Sequence, residues 1–141
     1  MSFAQALKID ESNQNVMRDL ANVQLRLKDF AGHAESRRKM MVATPQNLQS
    51  WNSYLIGTYF SGDYDLAHQV LDSIFQIIDN QEEDKKSKPY ELCELHLFRA
   101  HLHEMKGEIR KAIRHIEKKS KLIVDQVRRA ETLVRLYLQN N

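Results

Sequence analysis

The chain of 141 residues has few of the residues that interrupt helices or cross-link a fold: one cysteine, two prolines and four glycines. Because a disulfide needs two thiols, Cys93 cannot form one within the chain, and it is compatible with a reducing compartment. The scarcity of proline and glycine favours long helices. With 42% hydrophobic and 28% charged residues, the composition is that of a globular protein with a substantial core.

Long apolar runs are also missing from the sequence. No stretch approaches the roughly 20 consecutive apolar residues that a membrane-spanning helix requires. The first residues, MSFAQALKIDES, lack the basic and apolar segments of a secretory signal peptide. The sequence therefore predicts a cytoplasmic protein without a membrane partner.

Motifs of the common enzyme classes are absent as well. The glycines at positions 32, 57, 62 and 107 are scattered and form no Gly-x-Gly pair that would bring backbone N–H groups to a phosphate. No P-loop, nucleophile elbow or Cys–His pairing occurs either. We therefore predict no catalytic residue and no cofactor, and nothing in the sequence favours a small free-standing enzyme.

The sequence does contain a helix–turn–helix unit between Trp51 and Asp72. One helical stripe consists of Trp51, Tyr54, Leu55, Thr58 and Tyr59, and a second consists of Ala67, Val70, Leu71, Ile74 and Ile78. Between the two stripes, Gly62 can adopt the left-handed conformation that ends a helix, and Asp63 can cap the next one. The small side chain of Ala67 lets the second helix approach the first.

The same unit recurs along the chain. The residues 34 positions before Trp51, Tyr54, Asp63 and Tyr64 are chemically similar: Met17, Leu20, Asp29 and Phe30. The residues 45 positions after Gly62, Tyr64, Ala67 and Leu71 are Gly107, Ile109, Ala112 and Ile116. The 11 additional residues match the length of a polar run from Asp79 to Pro89. A 34-residue period of this kind is typical of the tetratricopeptide repeat, or TPR.

These spacings predict an all-α, TPR-like right-handed superhelix of antiparallel helix pairs, with about seven main helices in one segment covering residues 1–141. The predicted parts are the end of a preceding second helix (1–11), two repeats (12–45 and 46–79), a polar loop (80–89), a third repeat (90–121) and the first helix of a truncated repeat (122–141). Solenoids usually end in polar capping helices, but the last segment is apolar. We therefore expect a piece of a longer superhelix, whose apolar end is exposed or covered by self-association.

The flanking helices show apolar residues at helical spacing. The predicted apolar positions are Val16, Leu20, Val23 and Leu27 in the first repeat, Leu92, Leu95, Phe98, Leu102 and Met105 in the third, and Val127, Leu133, Val134, Leu136, Tyr137 and Leu138 in the last helix. These side chains are expected to form the core between neighbouring helices.

Positive charge is concentrated in the last third of the chain. Residues 106–141 contain ten Lys and Arg against four Asp and Glu, whereas the whole chain has a net charge of only +2. The predicted anion-contacting residues are Arg110, Lys111, Arg114, Lys118, Lys119 and Lys121, which Arg128 and Arg129 could extend. Such a stripe suits contact with RNA phosphates such as those of the ribosome, although charged runs also serve simply as solvated surface.

Three histidines raise the question of a metal site. His96 and His103 are seven residues apart, so one helix face could carry both, and His101 lies between them. No carboxylate or cysteine completes a ligand set at helical spacing, and the arrangement is not that of a zinc protease. We therefore predict ordinary groove or surface histidines and no metal, and we predict Cys93 to be a small buried apolar residue.

The ordered succession of segments resembles the amino-terminal region of one family. Those segments are ALKIDESNQNVMRDL (6–20), Gly32 with Arg37 before Pro45, Trp51, GDYDLAHQVLD (62–72), YELCELHLFRA (90–100) and KGEIRKAIRHI (106–116). In this order they are similar to the auxiliary subunit of N-terminal acetyltransferase A (NatA), over almost the whole chain.

The resemblance implies a non-catalytic TPR scaffold. In that family the auxiliary subunit wraps a separate catalytic acetyltransferase subunit, alters it allosterically and docks the complex on the ribosome, where emerging chains are acetylated on their α-amino groups. The catalytic subunit is held mostly by later repeats, and the amino-terminal repeats are associated with scaffolding and ribosome contact. The resemblance therefore implies partners and a role, and no catalytic residue.

A generic peptide-binding TPR adaptor remains the alternative. Chaperone adaptors hold acidic peptide tails with a cation and an asparagine four residues apart on the first helix, and Arg18 and Asn22 match that spacing. The third repeat, however, offers Glu94 and Phe98 where further cations would be expected. A clamp for two carboxylates is therefore disfavoured.

Overall fold

The computed structural model describes residues 14–81, 89–119 and 126–140. Within these ranges the chain forms seven α-helices and no strand. They are α1 (Gln14–Arg26), α2 (Phe30–Ala43), α3 (Leu48–Phe60), α4 (Tyr64–Asp79), α5 (Pro89–Met105), α6 (Ile109–Lys118) and α7 (Gln126–Asn140). No helix of the described ranges combines the length and apolar character needed to cross a bilayer.

Predicted and observed helices agree closely. The two apolar stripes predicted for the second repeat lie on α3 and α4. The polar loop was expected to include Pro89, but this residue begins α5, where a proline is favourable because the first helical N–H has no partner within the helix. The predicted helix end at 1–11 lies outside the described residues.

The chain forms two compact units, Met1–Ile77 and Ile78–Asn141. In the first unit, α2 packs against both α1 and α3. Met17 and Ala21, one turn apart on α1, are buried, and the Ala21 carbonyl accepts a hydrogen bond from Nδ1 of the buried His33 on α2 at 2.8 Å. This bond links α2 to the backbone of α1.

Small residues allow α2 and α3 to approach closely. A Cβ atom added at Gly57 would lie 3.2 Å from the Cα of Ala34, so the two backbones nearly touch there. The stripe predicted for α4 is confirmed, since Ala67, Val70, Leu71, Ile74 and Ile78 are all buried. Predicted burial is also confirmed for Tyr54, Leu55 and Thr58 of α3.

The apolar face predicted for α1 is partly wrong. Val23 is exposed, and Leu27 lies beyond the end of the helix with 74% of its surface accessible. The buried residues are Met17 and Ala21, which lie on a different side of the helix from Val23. The bond from His33 to the Ala21 carbonyl explains why Ala21 lies on the buried side, because a small residue is needed where another helix approaches the backbone.

The second unit has its own core. The buried residues of this core are Cys93, Leu97, Ala100, Ala112, Ile113, Ile116 and Leu136, with Ile109 and Leu133 packed against them. Helix α6 therefore contacts both α5 and α7. The prediction of a buried Cys93 is confirmed. The apolar positions predicted for α5 and α7 are only partly buried, because Met105, Val134, Tyr137 and Leu138 are exposed, and self-association through such residues stays a prediction.

The same turn ends every second helix from α1 to α5. Lys28, Gly62 and Gly107 follow α1, α3 and α5 with positive φ angles of 60°, 82° and 79°. The next amide in each case donates to the carbonyl five residues earlier: Asp29 to Gln24 at 2.8 Å, Asp63 to Thr58 at 3.2 Å and Glu108 to His103 at 2.8 Å. These bonds satisfy carbonyls at the helix ends. The turns recur at the 34- and 45-residue spacings read from the sequence.

Among the described residues, Lys28 is the one residue other than glycine with a positive φ angle. The left-handed region is unfavourable for a residue with a Cβ, so Lys28→Gly should raise the free energy of unfolding by about 1 kcal/mol. Gly62→Ala should lower it by a similar amount, because a Cβ at position 62 meets no atom within 4 Å and only backbone strain is added. Urea unfolding checks both; a destabilised Lys28→Gly chain would contradict the assigned turn.

Candidate functional site

The exposed face of α6 carries a stripe of cations. Arg110, Arg114 and Lys118 follow each other at four-residue spacing and are all exposed, whereas Ala112, Ile113 and Ile116 on the other side are buried. Among the described residues, none of the three cations has a carboxylate at ion-pair distance. We call Arg110, Arg114 and Lys118 the basic stripe.

The other predicted cations are placed differently. Lys111 is exposed, but its Nζ donates to Glu108 at 2.7 Å, so a carboxylate offsets its charge. Lys119 follows the last turn of α6 and is half-buried. Lys121 lies outside the described residues. The structure therefore brings three of the six predicted residues together as a continuous exposed row.

Helix α7 holds Arg128, one of the two residues that could extend the stripe, against α5. Arg128 forms an ion pair with Glu94 of α5, and Arg135 forms one with Glu104. Such exposed pairs contribute little to stability, but they hold the guanidinium groups against α5 and offset their charge. Unpaired positive charge in the described part of this unit is therefore concentrated on α6.

A pair of histidines links α5 to α6. Nδ1 of His96 lies 3.4 Å from Nε2 of His115, and the ring centroids are 5.4 Å apart. Burial lowers the pKa of His96 to about 4, and nearby Lys119 and Arg99 act in the same direction. Burial also lowers the pKa of His115 to about 4, reinforced by His96 itself. Both rings are therefore neutral near pH 7, and one can donate to the other.

His103 has a separate environment. Its Nδ1 lies 3.4 Å from Oε1 of Glu108, and Glu108 is also bonded to Lys111. Hydrogen bonds from Lys111 and His103 lower the pKa of the Glu108 carboxyl to about 2. His96 and His103, which the sequence places on one helix face, thus have different partners: His115 for His96 and Glu108 for His103. Sequence spacing gave no signal for His115, because it lies on the neighbouring helix.

The described residues provide no group of three or more His, Cys, Asp or Glu side chains that could hold a metal ion. Cys93 lies within the apolar core, where a thiol acts as a small hydrophobic side chain. The two histidines form a partly buried polar contact between α5 and α6.

Because the pKa values of both histidines are lowered, we expect the folded chain to lose stability in mild acid. In the unfolded chain a histidine has a pKa near 6.5, whereas in the folded chain that of His96 is about 4. Between these values the unfolded state binds more protons, so the free energy of unfolding should fall as the pH falls from about 7 towards about 5. Urea unfolding of the wild type across this range measures the effect.

Substituting one histidine tests whether the pair contributes to this loss of stability. His115→Gln should make the dependence on pH shallower, because it removes one of the histidines whose pKa is lowered in the folded chain, while His96 and His103 remain. Glu108 does not interfere, because its depressed pKa affects stability only below about pH 4.5. An equally steep dependence in His115→Gln would contradict the assignment.

A polar pocket lies in the first unit between α1, α2 and α3. It has a volume of about 480 Å³, and its lining includes Gln14, Arg18, Arg37, Gln49, Ser50 and Ser53. Arg18 and Asn22, the pair predicted to bind a peptide tail, have different positions relative to this pocket. Arg18 lines the pocket, while Oδ1 of Asn22 accepts from Nη2 of Arg37 at 3.5 Å. The sequence reading missed Arg37 as a member of this group.

Comparisons with known proteins show which proteins the chain is similar to. No family model matches the chain. The chain is 30% identical over 125 residues to the mouse protein "N-alpha-acetyltransferase 16, NatA auxiliary subunit", covering 89% of this chain and 14% of the mouse protein. It is 25% identical over 134 residues to the Arabidopsis thaliana "N-terminal acetyltransferase A complex auxiliary subunit NAA15", covering 95% of this chain and 15% of that protein. The resemblance to NatA auxiliary subunits is confirmed.

Solved structures confirm the fold class as well. A chain in a structure of Naa15/Naa10 bound to HypK-THB superposes with a TM-score of 0.83 at 24% identity, covering 97% of this chain and 20% of that one. The crystal structure of MamA gives a TM-score of 0.67 at 15% identity, covering 98% and 74%. Both are solenoids of the TPR type, as the sequence predicted. The present chain spans about a seventh of the NatA auxiliary subunits that it matches.

Proposed function

We propose that this chain is part of a non-catalytic auxiliary subunit of a ribosome-associated N-terminal acetyltransferase complex in the cytoplasm. The observation that supports this most is the similarity to NatA auxiliary subunits over 89–95% of the chain. In this proposal the protein binds a catalytic acetyltransferase subunit and positions it where the amino termini of nascent chains emerge.

The packing of the helices is consistent with a scaffold. In both units a set of buried aliphatic side chains packs helix against helix, while some large apolar side chains, such as Leu27 and Leu138, stay exposed. A repeat array of this kind presents an extended surface whose shape is set by the backbone. Such a surface suits the binding of a protein partner.

The basic stripe is the proposed ribosome contact. Its three cations are exposed, and they carry no carboxylate partner among the described residues. Spacing of one helical turn places them about 6 Å apart, similar to the distance between neighbouring phosphates along a nucleic-acid strand. The stripe contains no aromatic side chain, so contact through phosphates rather than base stacking is proposed.

Ribosome co-sedimentation of the reconstituted complex tests this proposal. The full-length protein, the catalytic acetyltransferase subunit and purified ribosomes are mixed, and acetyltransferase activity and protein are measured in the pellet. The wild type should carry the catalytic subunit into the pellet. Changing Arg110, Arg114 and Lys118 to Glu should release both, and it should reduce the dependence of binding on salt by roughly three released counterions.

A charge-matched variant controls for net charge. Arg26, Arg38 and Lys39 are exposed cations of the first unit, and changing all three to Glu produces the same change in charge. This control variant should sediment like the wild type. If the basic-stripe variant sediments with ribosomes like the wild type, the stripe is not the ribosome contact. If acetyltransferase activity pellets without the auxiliary protein, the positioning role is refuted.

A further inference from the structure

The polar pocket of the first unit contains two guanidinium groups without a carboxylate between them. Arg18 comes from α1 and Arg37 from α2, and no described Asp or Glu forms an ion pair with either. Burial lowers the pKa of Arg37, and the positive charge of Arg18 adds to the effect. An arginine nonetheless remains protonated in proteins, so both side chains keep their charge. An anionic group between them would relieve their repulsion.

Arg37 already has contacts within the protein that orient it towards the pocket. Its Nη2 donates to Oδ1 of Asn22 at 3.5 Å, and its Nη1 lies 3.9 Å from the sulfur of Met40. Asn22 thus acts as a positioning residue for Arg37. A guanidinium held in place loses less conformational entropy on binding than a free one.

The rest of the lining offers both donors and acceptors. Oγ1 of Thr44 and Oγ of Ser50 are 2.8 Å apart, so this wall is held by its own hydrogen bond. The side chains of Gln14, Gln49 and Ser53 have no hydrogen-bond partner among the described residues. An amide side chain can donate to a carbonyl and accept from an N–H group, which are the two groups that a peptide backbone presents.

We propose that this pocket binds an acidic peptide segment of a partner protein, with a carboxylate held between Arg18 and Arg37. The volume of about 480 Å³ lies within the range of roughly 300–1,000 Å³ that is usual for ligand pockets. It exceeds the space that one oxyanion fills. The acceptor oxygens of Gln14 and Gln49 suit backbone N–H groups and would be of no use to a bare phosphate. The inference is independent of the proposed ribosome contact, which uses residues of the other unit.

Fluorescence anisotropy with a labelled peptide tests the proposal. The probe is a short peptide rich in Asp and Glu, and a peptide with Asn and Gln at the same positions is the neutral control. The whole 141-residue chain should bind the acidic probe, and added salt should weaken the binding. Arg18→Gln should weaken it about tenfold, because a charge-assisted hydrogen bond is lost.

Matched variants separate the pocket from general charge and from folding. Arg26→Gln removes the same charge from the same helix outside the pocket and should bind like the wild type. Arg37→Lys keeps the charge but removes the planar fork and should also weaken binding. Arg18 is exposed, so Arg18→Gln should unfold in urea like the wild type and carries the test if Arg37 variants do not fold.

Three outcomes would overturn the proposal. One is equal binding of the acidic and neutral peptides. Another is binding of the acidic peptide that Arg18→Gln leaves unchanged. The third is binding of a single-stranded oligoribonucleotide that depends on Arg18, together with no binding of the acidic peptide, because the pocket would then be a phosphate site.

Discussion

The structure depends on close packing between helices that follow one another in the chain. Ala21, Gly57, Ala67 and Ala112 have little or no side chain, which lets neighbouring backbones approach, and the aliphatic residues around them fill the remaining space. A single amphipathic helix could not bury its stripe alone, so within each unit a helix depends on the neighbours that it packs against. The polar outer faces, including both candidate binding surfaces, are held in place by this packing.

The sequence predicted the helix pairs well because their signals are local and repeated. Gly62 and Gly107 mark helix ends at a fixed spacing, and the stripe of α4 is uniformly apolar. The buried face of α1 was harder to predict. Val23 and Leu27 are more hydrophobic than Ala21, but Ala21 is buried because the bond from His33 requires access to its carbonyl. A contact with another helix thus decides which apolar residues of α1 are buried.

The surfaces were predictable only in part, for the same reason. The exposure of Arg110, Arg114 and Lys118 follows from the amphipathic pattern of one helix. The ion pair of Arg128 with Glu94, the contact of His96 with His115 and the bond of Arg37 to Asn22 join residues 34, 19 and 15 positions apart. No short-range pattern encodes such pairs, yet they decide which cations remain available to a ligand.

We propose that this molecule offers a shaped surface to an acetyltransferase and performs no acetyl transfer itself. Affinity purification of the full-length protein, followed by identification of its stable partner and an assay of α-amino acetylation, tests this most directly. We expect a catalytic acetyltransferase subunit in constant ratio to the protein and activity only when that subunit is present. Acetyl transfer by the protein alone, or a stable partner without acetyltransferase activity, would contradict it.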